Sequence, residues 1–156
     1  MKLAYRWLLV VAWMALIFMF SNEVAGVSSQ RSGTIVNDLQ TTFSLDANFS
    51  LLEVITRKAA HLTLYFILGG LLFFALYGMR RFSASKSAIL AVAATFLYAC
   101  TDEFHQAFVP GRGSQFTDVL IDTVGGAVAV FICYYYVRYK AQKEHRHHEE
   151  VKKSTR

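Results

Sequence analysis

Proline occurs once in 156 residues, cysteine twice, and only 17% of the residues are charged. One proline leaves no collagen-like repeat, and two cysteines cannot frame a disulfide scaffold. A water-soluble domain carries about 25% charged residues, so the shortfall argues against a protein whose whole surface faces water. Also missing are a nucleophile elbow, a phosphate-binding glycine loop, a dinucleotide fingerprint, a zinc-type ligand spacing and any internal repeat. What is present in excess is apolar: 54% of residues are hydrophobic and 15% aromatic, with a mean hydropathy of +0.34. That composition excludes disorder and calls for a bilayer as solvent. With much of a chain this short in the membrane, no room remains for a separate soluble catalytic domain.

The net charge is +5, yet the basic residues form short clusters at the ends of apolar runs rather than one face. This is an orientation signal, not a nucleic-acid groove, and no nucleic-acid partner is expected. Four runs read as transmembrane helices at about residues 3–20, 59–77, 88–107 and 119–137. The third apolar run, Ala88 to Cys100, is too short alone, since a spanning helix needs about 20 residues. It must continue through Thr101-Asp102-Glu103-Phe104-His105-Gln106, which carries ionisable groups into or beside the membrane. The expected fold is an all-α integral membrane bundle of four transmembrane helices over residues 1–140. A polar cytoplasmic tail follows at 141–156.

Four spans put Lys2, Arg6, Arg80, Arg81, Lys86, Arg138 and Lys140 on one side, and the positive-inside rule makes that side, with both termini, cytoplasmic. All acids before the tail then lie on or near the outer face, together with Arg31, Arg57, Lys58 and Arg112, which run against the bias. The first span resembles a signal-peptide core, but the best small-residue pair follows Glu23, and a retained anchor is expected. In the external segment 21–56, Ile35, Leu39 and Phe43 recur at i, i+4 and suit a short helix lying on the bilayer; a solvated loop with one apolar anchor is an equal reading. Tyr134, Tyr135, Tyr136 and Tyr139 suit an interfacial belt. His145, His147 and His148 are read as solvated tail residues. Cys100 and Cys133 fall at different depths, which argues against a disulfide between them.

The polar residues converge on one level. Arg57, His61 and Tyr65 are spaced i, i+4, i+8 on the second helix, with Lys58 beside them. Asp102, His105 and Gln106 are spaced i, i+3, i+4 on the third, with Glu103 turned about 100° away. Asp118 and Asp122 are i, i+4 on the fourth, and Val109-Pro110-Gly111-Arg112-Gly113-Ser114 forms the turn before it. Carboxylate and histidine together suit general acid–base work, which makes His61, Asp102, Glu103, His105 and Asp122 the candidate catalytic set. Arg57, Lys58, Tyr65, Gln106, Arg112 and Asp118 are the candidate ligand-binding set, with the basic members able to clamp a phosphate. His61, His105, Glu103 and Asp122 are possible metal donors, but without metal-site spacing no metal or other cofactor is expected.

Structural roles compete for the same residues. Asp118 or Ser114 suits a helix N-cap, and Arg57 and Lys58 suit snorkelling. His61, Tyr65 and Asp122 suit interhelical hydrogen bonds, while Gly69, Gly70, Gly125 and Gly126 let helix backbones approach. Against a purely structural account stands the cost of ionisable groups in a span, which normally mark a site.

At these positions the chain resembles the VanZ-like family of small bacterial membrane proteins. The resemblance rests on Arg57-Lys58-Ala59-Ala60-His61, Tyr65 and Leu68-Gly69. It continues through Tyr98-Ala99, Asp102-Glu103-Phe104-His105-Gln106, Phe108-Val109-Pro110-Gly111-Arg112, Asp118, and Asp122-Thr123-Val124-Gly125. Leu64 departs from the pattern, where many members carry an acid before the tyrosine position. The resemblance implies a multi-pass protein of the bacterial cytoplasmic membrane, linked to resistance to teicoplanin-type glycopeptide antibiotics, and it implies no particular reaction. Two functions remain open. One is a non-enzymatic envelope factor that binds membrane lipids or lipid-linked cell-wall precursors through its outer-face cations. The other is an intramembrane hydrolase or transferase acting on a lipid-linked substrate. Transport is weaker, since four short helices without a repeat need a homo-oligomer to form a pathway.

Overall fold

The structure, a computed structural model, describes residues 3–22, 30, 33–38, 41–42, 48–110 and 114–154. Four long helices make up almost all of it: α1 (Leu3–Ser21), α2 (Phe49–Gly78), α3 (Ala84–Gln106) and α4 (Phe116–Ser154), with no strand among the described residues. Each contains a segment long and apolar enough to cross a membrane. Their outward faces keep large apolar side chains exposed, among them Val11, Leu97 and Phe131. A helix apolar on its outer as well as its inner face belongs in lipid rather than water.

The helix ends follow local chemistry. After α2, the backbone amides of Met79 and Arg80 close a turn on the carbonyls of Leu76 and Tyr77. Arg80 adopts a left-handed conformation (φ 55°) that stops the helix. The Ser83 hydroxyl then caps α3 by accepting from the Lys86 amide at 3.3 Å. At the far end of α3 the chain turns through Ala107 and Phe108 to Pro110, which cannot supply a helical amide hydrogen.

Two boundaries lie outside the apolar runs. α2 begins at Phe49, because charged Arg57 and Lys58 end an apolar run without ending a helix. α4 continues through the polar tail to Ser154, where Glu, Lys, Gln and Arg favour helix and His145 pairs with Glu149 one turn on. In the segment after α1, residues 33–38 are helical, and the buried side chain is Val36 while neighbouring Ile35 is exposed. Leu39 and Phe43 lie outside the described residues.

The core joins all four helices, with Val10 and Ile17 from α1, Tyr65, Leu68 and Phe73 from α2, Ala91 and Ala99 from α3, and Val119 and Val130 from α4. α1 is fastened at three depths. Arg6 Nη1 donates to the Phe74 carbonyl (2.8 Å), Trp13 Nε1 to the Leu64 carbonyl (2.9 Å), and the Tyr98 hydroxyl to the Met14 carbonyl (2.6 Å). α2 and α4 come into backbone contact where Gly69 meets Gly126. A methyl group on Gly69 would run into the Gly126 backbone, and one on Gly126 would lie 2.5 Å from Thr95 Cγ2 on α3. Removing side chains there brings backbones together and sets the distance between α2 and α4 one to two turns away, at His61 and Asp122. Cys100 and Cys133 are both free thiols.

Candidate functional site

His61, Asp102 and Asp122 come from three helices and meet inside one end of the bundle. One donor atom from each lies within 4.8 Å of the other two. His61 Nδ1 is 3.5 Å from Asp122 Oδ2. Asp122 is 3% exposed and Asp102 5%, whereas the His61 side chain is 20% exposed and forms the open edge of the group. Their position follows from the helical repeat: His61 and Tyr65 lie above the Gly69 crossing on α2, and Asp122 lies one turn before Gly126 on α4.

The Asp102 carboxylate is held from two directions. The buried Tyr65 hydroxyl donates to its Oδ2 at 3.1 Å, and Gln106 Nε2 to the same oxygen at 3.3 Å. Both donors converge on one oxygen, so Oδ1 has no hydrogen-bond partner, and Asp122 Oδ1 is in the same condition; both atoms are buried. Unpartnered carboxylate oxygens in a low-dielectric interior are costly and point to a group that the cluster is built to meet.

The remaining residues separate into different roles. Glu103 is buried but turned to the loop, where its Oε1 accepts the Gln115 amide at 2.5 Å and ties α3 to the start of α4. His105 faces α1, with Nε2 3.3 Å from Asn22 Oδ1 and its ring 4.7 Å from that of Phe18. Neither belongs to the His61 cluster. Lys58 pairs with Asp118 in the first turn of α4, across the mouth of the α2–α4 interface. This pair gives Asp118 a partner on another helix, where the sequence suggested either a cap or a ligand. Arg57 is half-buried on α2 beside Lys58, and Arg112 lies outside the described residues. At Leu64 the backbone carbonyl carries a contact, from Trp13, while the side chain packs against the core.

Three interactions escape the sequence reading. The indole of Trp13 and the hydroxyl of Tyr98 bond to distant carbonyls, and Asn22 meets His105; each joins residues more than 50 positions apart, so no local pattern marks them. A separate cleft of about 720 Å³, lined by Arg6, Tyr77, Arg80, Lys140 and Glu144, lies at the opposite end of the bundle and does not include the buried acids.

The arrangement is that of a polytopic helical membrane protein with an acid–histidine centre buried between its helices. The family model of VanZ/LLP1 matches residues 6–138, which includes all of α2 and α3, most of α1, α4 as far as Arg138, and each residue of the cluster. The chain belongs to the VanZ/LLP1 family. No curated protein matches the chain, and no solved structure does.

Proposed function

We propose that this protein acts at the outer face of the bacterial cytoplasmic membrane on the head group of a lipid-linked cell-wall precursor, and thereby lowers susceptibility to teicoplanin-type antibiotics. The supporting observation is the pairing of His61 with Asp122 at 3.5 Å beside a second buried acid. An imidazole against a carboxylate serves as a proton-transfer pair, and low-dielectric surroundings strengthen its electrostatics. The positive-inside rule puts this end outside, and Lys58 and Arg57 at its rim suit an anionic head group. On this reading His61 and Asp122 move the proton, Asp102 is held in place by Tyr65 and Gln106, and the protein is an intramembrane hydrolase or transferase.

A second reading, binding without turnover, is favoured by the burial of both acids and by the Lys58–Asp118 pair at the rim. The two readings differ in which residues matter. The test is teicoplanin and vancomycin susceptibility in a Gram-positive host carrying the wild-type gene, an empty vector, Asp122→Asn or Arg57→Ala, with membrane expression matched. A catalytic centre predicts selective teicoplanin protection that Asp122→Asn abolishes. Loss through Arg57→Ala alone indicates a binder. If the wild type protects against neither drug, the resistance role is wrong for this member.

A further inference from the structure

The His61, Asp102 and Asp122 cluster concentrates two acids and one imidazole away from water. Two carboxylates buried within 4.8 Å of each other and of one imidazole repel strongly away from water. Tyr65 and Gln106 donate hydrogen bonds to Asp102 but bring no charge. His61, even when protonated, would balance only one acid. Lys58 stands at the rim, paired with Asp118.

We propose that His61, Asp102 and Asp122 bind one divalent transition-metal cation of the zinc or manganese kind. A 2+ ion neutralises both carboxylates and gives the unpartnered Oδ1 of Asp102 a use. The donor set selects the class. One imidazole with two carboxylates suits zinc or manganese better than magnesium or calcium, which prefer all-oxygen surroundings. The spacing of one pair agrees, because ligands about 2.0–2.2 Å from a tetrahedral ion sit roughly 3.4 Å apart and His61 Nδ1 is 3.5 Å from Asp122 Oδ2; the third donor, within 4.8 Å, closes on the ion by a side-chain adjustment. Tyr65 and Gln106, by holding Asp102 Oδ2, orient Oδ1 in the way that outer hydrogen bonds fix metal-binding carboxylates. Three protein ligands leave a coordination position open, as catalytic sites do and closed structural sites do not. The ligands lie on three helices and are separated by 41 and 20 positions in the chain, so no short motif announces them.

The inference rests on the proposed function and recasts it: with His61 and both acids engaged as ligands, a water in the open position would take the proton-transfer role given above to the His61–Asp122 pair, and the test needs no lipid substrate. The full chain carrying His145→Ala, His147→Ala and His148→Ala, which removes competing tail imidazoles, is purified in detergent and stripped with chelator. Zinc, manganese and magnesium are then added separately, while bound metal and thermal midpoint are followed. The expected result is one equivalent of zinc or manganese per chain, with a midpoint that rises as metal is added. Asp122→Asn and Asp102→Asn abolish that equivalent, and Tyr65→Phe weakens it by about 10–100-fold. A folded parent protein that binds none of the three metals overturns the site whether or not the variants fold. Equal binding by parent and Asp122→Asn overturns it too. Metal binding without any effect on teicoplanin susceptibility leaves the site standing and removes the resistance role. Protection by a protein that binds no metal does the reverse.

Discussion

Tyr65 and Asp102 are the pair in which a single side-chain bond inside the membrane can be measured. The hydroxyl is fully buried and its acceptor is a carboxylate oxygen on the neighbouring helix. Tyr65→Phe keeps the ring and removes the bond, so thermal unfolding in detergent should show a loss of about 0.6 kcal/mol, and at most about 1.7. On the proposed function His61 and Asp122 carry the chemistry rather than the packing, so Asp122→Asn, close to isosteric, should leave expression near normal while removing function. The residues of this centre are legible in the sequence because ionisable groups in apolar runs are costly and rare. Their sorting is not. His105 and Glu103 sit among the same residues on α3, yet one turns to Asn22 and the other to the amide of Gln115. Both partners lie at chain positions whose approach to α3 no helical spacing specifies.

The bundle depends on where helices come close and where they stop. Gly126 packs against Thr95 and the Tyr65 carbonyl, so Gly126→Val forces α4 away from α2 and α3 and moves Asp122 with it. The expected cost is about 1–3 kcal/mol of stability, read as a lower thermal midpoint, with loss of function even where the protein still reaches the membrane. Glu103→Gln tests the tie between α3 and α4. A neutral amide oxygen accepts more weakly than a carboxylate, so hydrogen exchange at the Gln115 amide should quicken without a fall in global stability. At this scale the four apolar runs read correctly as spanning helices, since length and hydropathy suffice. The helix ends at Phe49 and Ser154 do not follow from hydropathy, which stops at a charge where the backbone hydrogen-bond ladder continues.

Taken as a whole, the molecule has the first turns of α1 and α3 and the last turns of α2 at the end opposite the acid–histidine centre, a relation fixed by the Arg6–Phe74 bond and the four antiparallel passes. The proposed function has that end on the cytoplasmic side, as the charge bias favours. In a chain with Cys100→Ser and Cys133→Ser, a single cysteine at exposed Ser114 should react with an impermeant thiol reagent on intact cells. One at exposed His145 should react only after permeabilisation. The reverse pattern would put the centre on the cytoplasmic side and exclude an external head group as its target. The central claim, that His61 and Asp122 perform chemistry on a lipid-linked group, is tested most directly by turnover. Purified protein in lipid nanodiscs is incubated with an extract of lipid-linked cell-wall precursors, and the products are followed by mass spectrometry. The account predicts conversion of a lipid-linked species by the wild type, slowed by roughly 10²–10⁴-fold in Asp122→Asn and His61→Gln. Conversion by both variants at the wild-type rate, or no conversion by folded wild-type protein, would contradict it.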